Sequence, residues 1–253
     1  MKPFRDMSVL VTGGGSGIGE GTARYLIARG AKVTICGRRA DRVHKVADSL
    51  GPSCEAVPGD ITIDADRLRI AESAIAHGGG LHGLVNNAGN MYRGPLSALQ
   101  EDELVSLFST NVISGFMLAS LCQDALSSTE GAIVFLGSIH NRRAFPGASP
   151  YAATKGAIEA LTKSLAAELG DKKIRVNCVA PGAVFTEINQ RAGLMDDEEA
   201  LARLQGMNDL HALGRIGKVE EVAEAIGYFL TAEWVTGTIL EVDGGLALGL
   251  TKG

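Results

Sequence analysis

The sequence is short of cysteine: Cys36, Cys54, Cys122 and Cys178 lie far apart, with no C-x-x-C pair among them. That spacing offers neither a zinc site nor a dithiol redox centre, so the four are expected to be reduced core residues. Basic charge is scarce as well. Lys and Arg number 24 against 29 Asp and Glu, a net charge of −5. Arg38-Arg39 and Arg142-Arg143 are isolated pairs rather than a stripe, which excludes the basic surface that nucleic-acid binding needs. Long apolar runs are also missing. The N-terminus offers only Val9-Leu10-Val11 before its glycines, too little for a signal-peptide core. No stretch reads as approaching the ~18 apolar residues of a membrane helix. A cytoplasmic protein without membrane contact is expected. No linker, repeat or low-complexity segment interrupts the chain, so residues 1–253 read as a single domain.

Glycine, by contrast, is abundant, with 33 in 253 residues. The residues follow no collagen-like period and imply tight turns and close backbone approaches. Hydrophobic residues at 45% and charged residues at 21% are ordinary for a chain with a real core.

Short apolar runs alternate with amphipathic stretches. Strands are expected at 8–11, 33–36, 84–85, 132–136, 176–179 and 238–242, with a further one before Asp60. Several are apolar at consecutive positions, as strands buried on both faces of a parallel sheet are. Helices are expected at about 16–28, 101–126 and 151–169, where Ile158, Leu161 and Leu165 share a face. This alternation predicts an α/β fold: a single-domain, Rossmann-like doubly wound sheet, mostly parallel, with helices on both faces. Residues 185–213 break the rhythm and read as a helical excursion covering the substrate.

The first strand runs into Thr12-Gly13-Gly14-Gly15-Ser16-Gly17-Ile18-Gly19 and then a helix. That arrangement sets a pyrophosphate on free backbone N–H groups at a helix N-terminus. The spacing is G-x-x-x-G-x-G, not the G-x-G-x-x-G fingerprint. After the second strand, where a carboxylate would hold a ribose 2′-OH, stand Arg38 and Arg39. A guanidinium suits a 2′-phosphate, so NADP(H) is favoured and NAD(H) left open; the two arginines would otherwise start a helix facing solvent. Asp60, with Ile61 beside it, either accepts from the adenine amino group or caps a helix.

Tyr151 and Lys155 stand one helical turn apart at the start of a helix. A tyrosine is a poor base near neutral pH, and an adjacent ammonium brings it toward working range. Ser138 ends the fifth strand, where open α/β sheets place their ligands.

TGGGSGIG, Asn86–Gly89 (NNAG), Asn111, Ser138, the Tyr151–Lys155 pentapeptide, Pro181-Gly182 and the Val242–Gly245 stretch together resemble the short-chain dehydrogenase/reductase family in its compact form. The match runs in order along nearly the whole chain. The resemblance implies hydride transfer between a nicotinamide cofactor and a carbonyl or secondary alcohol, without metal. It implies Tyr151 as general acid or base and Lys155 on the nicotinamide ribose, lowering the tyrosine pKa. Ser138 is implied on the substrate oxygen, and Asn111 holding a water that links Lys155 to solvent. Gly13, Gly15, Ser16, Gly17, Ile18, Gly19, Asn87, Ala88, Gly89, Pro181, Gly182, Val184 and Thr186 are implied along the cofactor, with Tyr151 and Lys155. Met91, His140, Phe145, Phe185, Ile188 and Met195 are candidates for a mixed apolar substrate pocket. His140 either touches substrate or sits in a loop, and Arg142 and Arg143 either attract an anion or face solvent.

A 3-oxoacyl thioester, a sugar or polyol, and a cyclic alcohol all suit such a site. A sensor that keeps the dinucleotide but performs no chemistry is the competing class, and the complete Ser, Tyr and Lys set argues against it. The small residues of the Tyr151 helix and the apolar tail 246–250 predict self-association as a homotetramer, or a homodimer.

Overall fold

The computed structural model describes residues 1–188 and 197–249. Among them, seven strands form one sheet in the order β3-β2-β1-β4-β5-β6-β7, every neighbouring pair parallel. The strands are β1 Ser8–Thr12, β2 Lys32–Gly37, β3 Cys54–Pro58, β4 Gly83–Asn86, β5 Ala132–Leu136, β6 Arg175–Pro181 and β7 Ile239–Val242. The strand expected before Asp60 is β3. Glu55 and Pro58 interrupt its apolar run, which an edge strand with one neighbour tolerates.

The helices are α1 Gly17–Ile27, α2 Ala40–Leu50, α3 Asp64–Gly78, α4 Glu101–Phe108, α5 Ser114–Ser128, α6 Ser149–Glu168, α7 Asp197–Gln205 and α8 Val219–Thr231. Side chains alternate across each strand, and the sheet therefore carries two cores. Leu10, Leu84, Ile133 and Phe135 pack against α3, α5 and α6 through Ile70, Leu118, Leu126 and Ile158. Val9, Val11, Ile35 and Val134 pack the other way against α1, α2 and α8 through Leu26, Val43, Ile226 and Phe229. All four cysteines are buried free thiols.

The sheet and α8 are joined by one buried cation. Arg175, at the start of β6, donates to the carbonyls of Phe229, Leu230 and Ala232 at 2.6, 2.9 and 2.8 Å. These are groups a helix C-terminus leaves without partners, and a cation there also meets the negative end of the helix dipole.

The expected helix 101–126 is not one helix. A π turn, Ser109–Ile113, separates α4 from α5. The whole span Glu101–Ser128 is nevertheless long and apolar enough, by length and composition, to cross a membrane, contrary to the reading that no stretch approaches this. Leu107, Leu118, Cys122 and Leu126 are buried against the protein, whereas Val105, Ile113, Phe116, Met117 and Leu121 are exposed.

The excursion expected at 185–213 falls between β6 and α8, and residues 189–196 of it lie outside the described residues. Its described part carries α7, and Leu204, Met207 and Leu210 pack against the small buried cluster of Ile139, Ala183 and Leu246. The tail divides: Leu246 belongs to that cluster, Leu248 is exposed, and residue 250 lies outside the described residues.

Candidate active site

The strand order reverses between β1 and β4, and open α/β sheets bind ligands outside the carboxyl ends of their strands at such a point. A cleft of about 1270 Å³, open mouth included, lies there.

The turn after β1 forms one wall. Gly13 and Gly17 have positive φ, of 67° and 55°, which a side chain would strain. At Gly19 a Cβ would stand 2.3 Å from the carbonyl oxygen of Gly13, so the helix approaches the turn as closely as backbone allows. The turn is held from β4. Thr12 Oγ1 accepts from the N–H groups of Asn87 and Ala88 at 3.0 Å each, and Asn87 Nδ2 donates to the Thr12 carbonyl at 2.8 Å. Asn87 thus ties the ends of β1 and β4 together besides lining the cleft. Ser16 precedes the first turn of α1 and caps it with no side-chain bond, leaving the helix N-terminus facing the cleft. A turn that side chains would fill, at the positive end of a helix, fits a dinucleotide pyrophosphate.

The opposite wall carries the reactive groups. Ser138 follows β5, and its Oγ lies 3.0 Å from Nδ1 of His140 in the short turn Ile139–Asn141. Tyr151 and Lys155 occupy the first turns of α6, where Pro150 starts the helix. Tyr151 meets the His140 ring edge-on, with centroids 5.1 Å apart. Lys155 Nζ donates to the Leu136 carbonyl at 2.7 Å and lies 5.5 Å from the Tyr151 ring centre.

Burial pushes Tyr151 up to about 12, and the hydrogen bond from Ser138 offsets only part of this. Burial also brings Lys155 down to about 8. Both effects have one cause, because a buried phenolate and a buried ammonium each lose hydration. The ammonium is bonded to a strand-end carbonyl.

Asn111 lies in the π turn, where the widened helix turns its side chain inward. It is buried, accepts from Asn90 N–H at 2.8 Å, and donates to Asn90 O at 3.0 Å and to Thr154 Oγ1 at 3.1 Å. It does not line the cleft; it links the loop after β4 to α6.

Of the residues expected along cofactor and substrate, Gly13, Ser16, Gly17, Ile18, Asn87, Ala88, Gly89, Met91, Ser138, His140, Phe145, Tyr151, Lys155, Pro181, Gly182, Val184, Thr186 and Ile188 line the cleft. Others do not. Gly15 packs toward Val43 and Gly19 against Gly13, both as spacers. Ile61 is a core residue under the sheet. Asp60 forms a local turn, accepting from Thr62 N–H and Oγ1–H, while the residue preceding α3 is Ile63. Phe185 is half-buried outside the lining, and Met195 lies outside the described residues. Arg38 is exposed, and Arg39 donates to Ser16 Oγ at 3.1 Å and to Glu187 at 2.9 Å. Arg142 is engaged by Glu159 at 2.8 Å, and Arg143 donates to the Leu246 carbonyl, so neither faces the cleft. Sequence reasoning passed over Arg93, Glu187, Arg203, Leu204, Met207 and Leu246, all of which line it. Their spacing follows no motif, since three chain segments bring them together.

A parallel sheet with a phosphate-shaped turn at its switch point, facing a serine, a tyrosine and a lysine, defines a nicotinamide-dependent oxidoreductase. The chain belongs to the short-chain dehydrogenase/reductase family, oxidoreductases acting on CH–OH and carbonyl groups. A family model described as enoyl-(acyl carrier protein) reductase matches residues 13–247. The chain is 35% identical to the glucose 1-dehydrogenase of Gluconobacter oxydans (strain 621H), over 97% of its length and 93% of the relative's. It is 32% identical to a 3-oxoacyl-(acyl-carrier-protein) reductase of Salmonella typhimurium, over 96% and 98%. The solved 3-ketoacyl-(acyl-carrier-protein) reductase of Brucella melitensis, complexed with NADH, superposes with a TM-score of 0.88 at 30% identity, covering 95% of this chain and 98% of that one.

Proposed function

We propose that the protein interconverts a carbonyl and a secondary alcohol at the end of β5, with Ser138, Tyr151 and Lys155 as its catalytic residues. The observation that carries this reading is the meeting of these three buried side chains on the cleft wall facing the glycine turn. Bound along that turn, the nicotinamide cofactor supplies the hydride for reduction and accepts it in oxidation. Ser138 Oγ hydrogen-bonds the substrate oxygen and stabilises the charge developing there. Tyr151 donates the proton in reduction and accepts it in oxidation. Lys155 holds the ribose hydroxyls. Asn111 is a positioning residue, which keeps the Asn90 loop and the Thr154 side of α6 in register. Purified protein with NADPH, followed by nicotinamide absorbance over acyl thioesters, sugars, polyols and cyclic ketones, tests the reading. Tight cofactor binding without turnover over a broad panel would favour the sensor instead.

NADP(H) is the preferred cofactor in this reading. After β2 no carboxylate follows Gly37; Arg38 and Arg39 stand there, with Arg42 one turn on and Arg39 already on Ser16 beside the phosphate turn. Arg38→Ala is expected to raise the KM for NADPH about tenfold, the size of one charge-assisted hydrogen bond. The KM for NADH should stay within about twofold. Equal weakening of both would refute the 2′-phosphate role.

The exposed stripe of Val105, Ile113, Phe116, Met117 and Leu121 supports self-association as a tetramer or dimer, as do exposed Ala153 and Ala160 on α6. Light scattering is expected to return two or four chain masses, and a monomer at micromolar concentration would overturn this. The assembly is read as cytoplasmic.

A further inference from the structure

The substrate end of the cleft holds more positive charge and more unmet donors than a neutral substrate uses. Arg93, on the loop after β4, lines it, and its Nε is buried with no hydrogen-bond partner. The loop is held in place: the N–H of Gly94 donates to the Gly147 carbonyl at 2.9 Å, tying it to the segment before α6. Arg203, on α7, lines the same space from the covering side and has no salt bridge among the described residues. His140 lines the same cleft, against the Tyr151 ring and within electrostatic reach of both arginines. Its Nε2 is also buried without a partner. Burial, reinforced by the charges of Arg93, Lys155 and Arg203, lowers His140 to about 4, so it stays neutral at pH 7.

Carboxylates do not balance this. Glu187 is the one acidic residue among the described residues lining the cleft, and it is taken by Arg39 at 2.9 Å and Arg42 at 3.6 Å. Glu103, which lines a second pocket together with Arg93, serves its own helix by accepting from Gln100 N–H. A buried, unpaired guanidinium donor is costly, and a site that keeps one is completed by an acceptor-rich anion.

We propose that the substrate carries a carboxylate or phosphate a few bonds from its reacting carbon, held between Arg93 and Arg203. This rests on the carbonyl–alcohol reading and narrows it. A 3-oxoacyl thioester with a neutral chain, or an unmodified sugar, leaves these donors unmet. A compact oxo acid, hydroxy acid or phosphorylated polyol satisfies them.

The test has a binding arm and a turnover arm. Malonate and inorganic phosphate are titrated calorimetrically into the wild-type protein with NADP+, and into Arg93→Gln and Arg203→Gln; the exposed Arg203 serves as the second variant should Arg93→Gln fail to fold. At least one anion should bind wild type and bind the variants about tenfold more weakly. Turnover compares acetoacetate with methyl acetoacetate and dihydroxyacetone phosphate with dihydroxyacetone. The anion-to-neutral ratio of kcat/KM should fall about tenfold in the variants for one pair. The carboxylate pair responding identifies an acid, and the phosphate pair a phosphate ester. Failure of both anions to bind wild type, or variants that bind and discriminate as wild type does, overturns the proposal. Retained turnover in Tyr151→Phe would instead break the reaction reading, while leaving the anion-binding result standing.

Discussion

Tyr151→Phe is expected to lower kcat by about 10²–10⁴-fold, the contribution of a positioned general acid, while cofactor affinity stays within about threefold. The substitution removes one oxygen and keeps the ring, so the edge-on contact with His140 and the burial against α6 persist. Loss of activity with an unchanged melting curve therefore isolates the proton transfer. The raised phenol pKa, about 12, adds a directional expectation. In reduction the group must be protonated, and it is so across the neutral range. In oxidation it must accept a proton, and the phenolate becomes available only as pH rises. The oxidative kcat should climb with pH through 7–10 while the reductive kcat shows no matching rise. A Phe variant retaining more than about a tenth of wild-type activity would remove Tyr151 from the chemistry.

Lys155→Met is expected to reduce kcat/KM for the cofactor by about 10²-fold, through the loss of charge-assisted hydrogen bonds to the ribose. Burial holds this lysine near 8, well below the ordinary value for lysine. The sign follows from the charge. The ammonium is present below about 8 and lost as pH rises through it, so wild-type kcat/KM for the cofactor, which reports the free protein, should fall on the alkaline side with a midpoint near 8. That limb should vanish in Lys155→Met. If the limb persisted in the variant, another group would own it. Lys155→Arg is not expected to restore the rate, because a planar fork does not fit the space that the point donor occupies beside the Leu136 carbonyl.

Much of this molecule was open to sequence reasoning because its signals are local. The run at 132–136 is apolar at every position, as strands buried on both faces of a parallel sheet commonly are. Glycines crowded between a strand and a helix mark a turn where side chains do not fit, and Gly19 against Gly13 shows the reason. Tyr151 and Lys155 share a face because a helix repeats in 3.6 residues. The fold, the order of the strands' chemistry and the position of the reactive triplet were therefore determined by the chain's own text, read with its family resemblance.

Other features arise only between segments distant in sequence, and the tertiary structure decided them. Asn111 reads as one more position in a long helix until the π turn and the Asn90 backbone fix it. Asp60 and Ile61 are neighbours in sequence, yet the close of β3 puts one in a local turn and the other in the core. The lysine and tyrosine pKa values depend on burial, which a spacing does not express. Arg93 and Arg203 stand 110 positions apart, and no periodicity links them. They share the cleft because the β4 loop and the β6 excursion converge over the end of β5, and the charge of that space is a sum over segments that never meet along the chain.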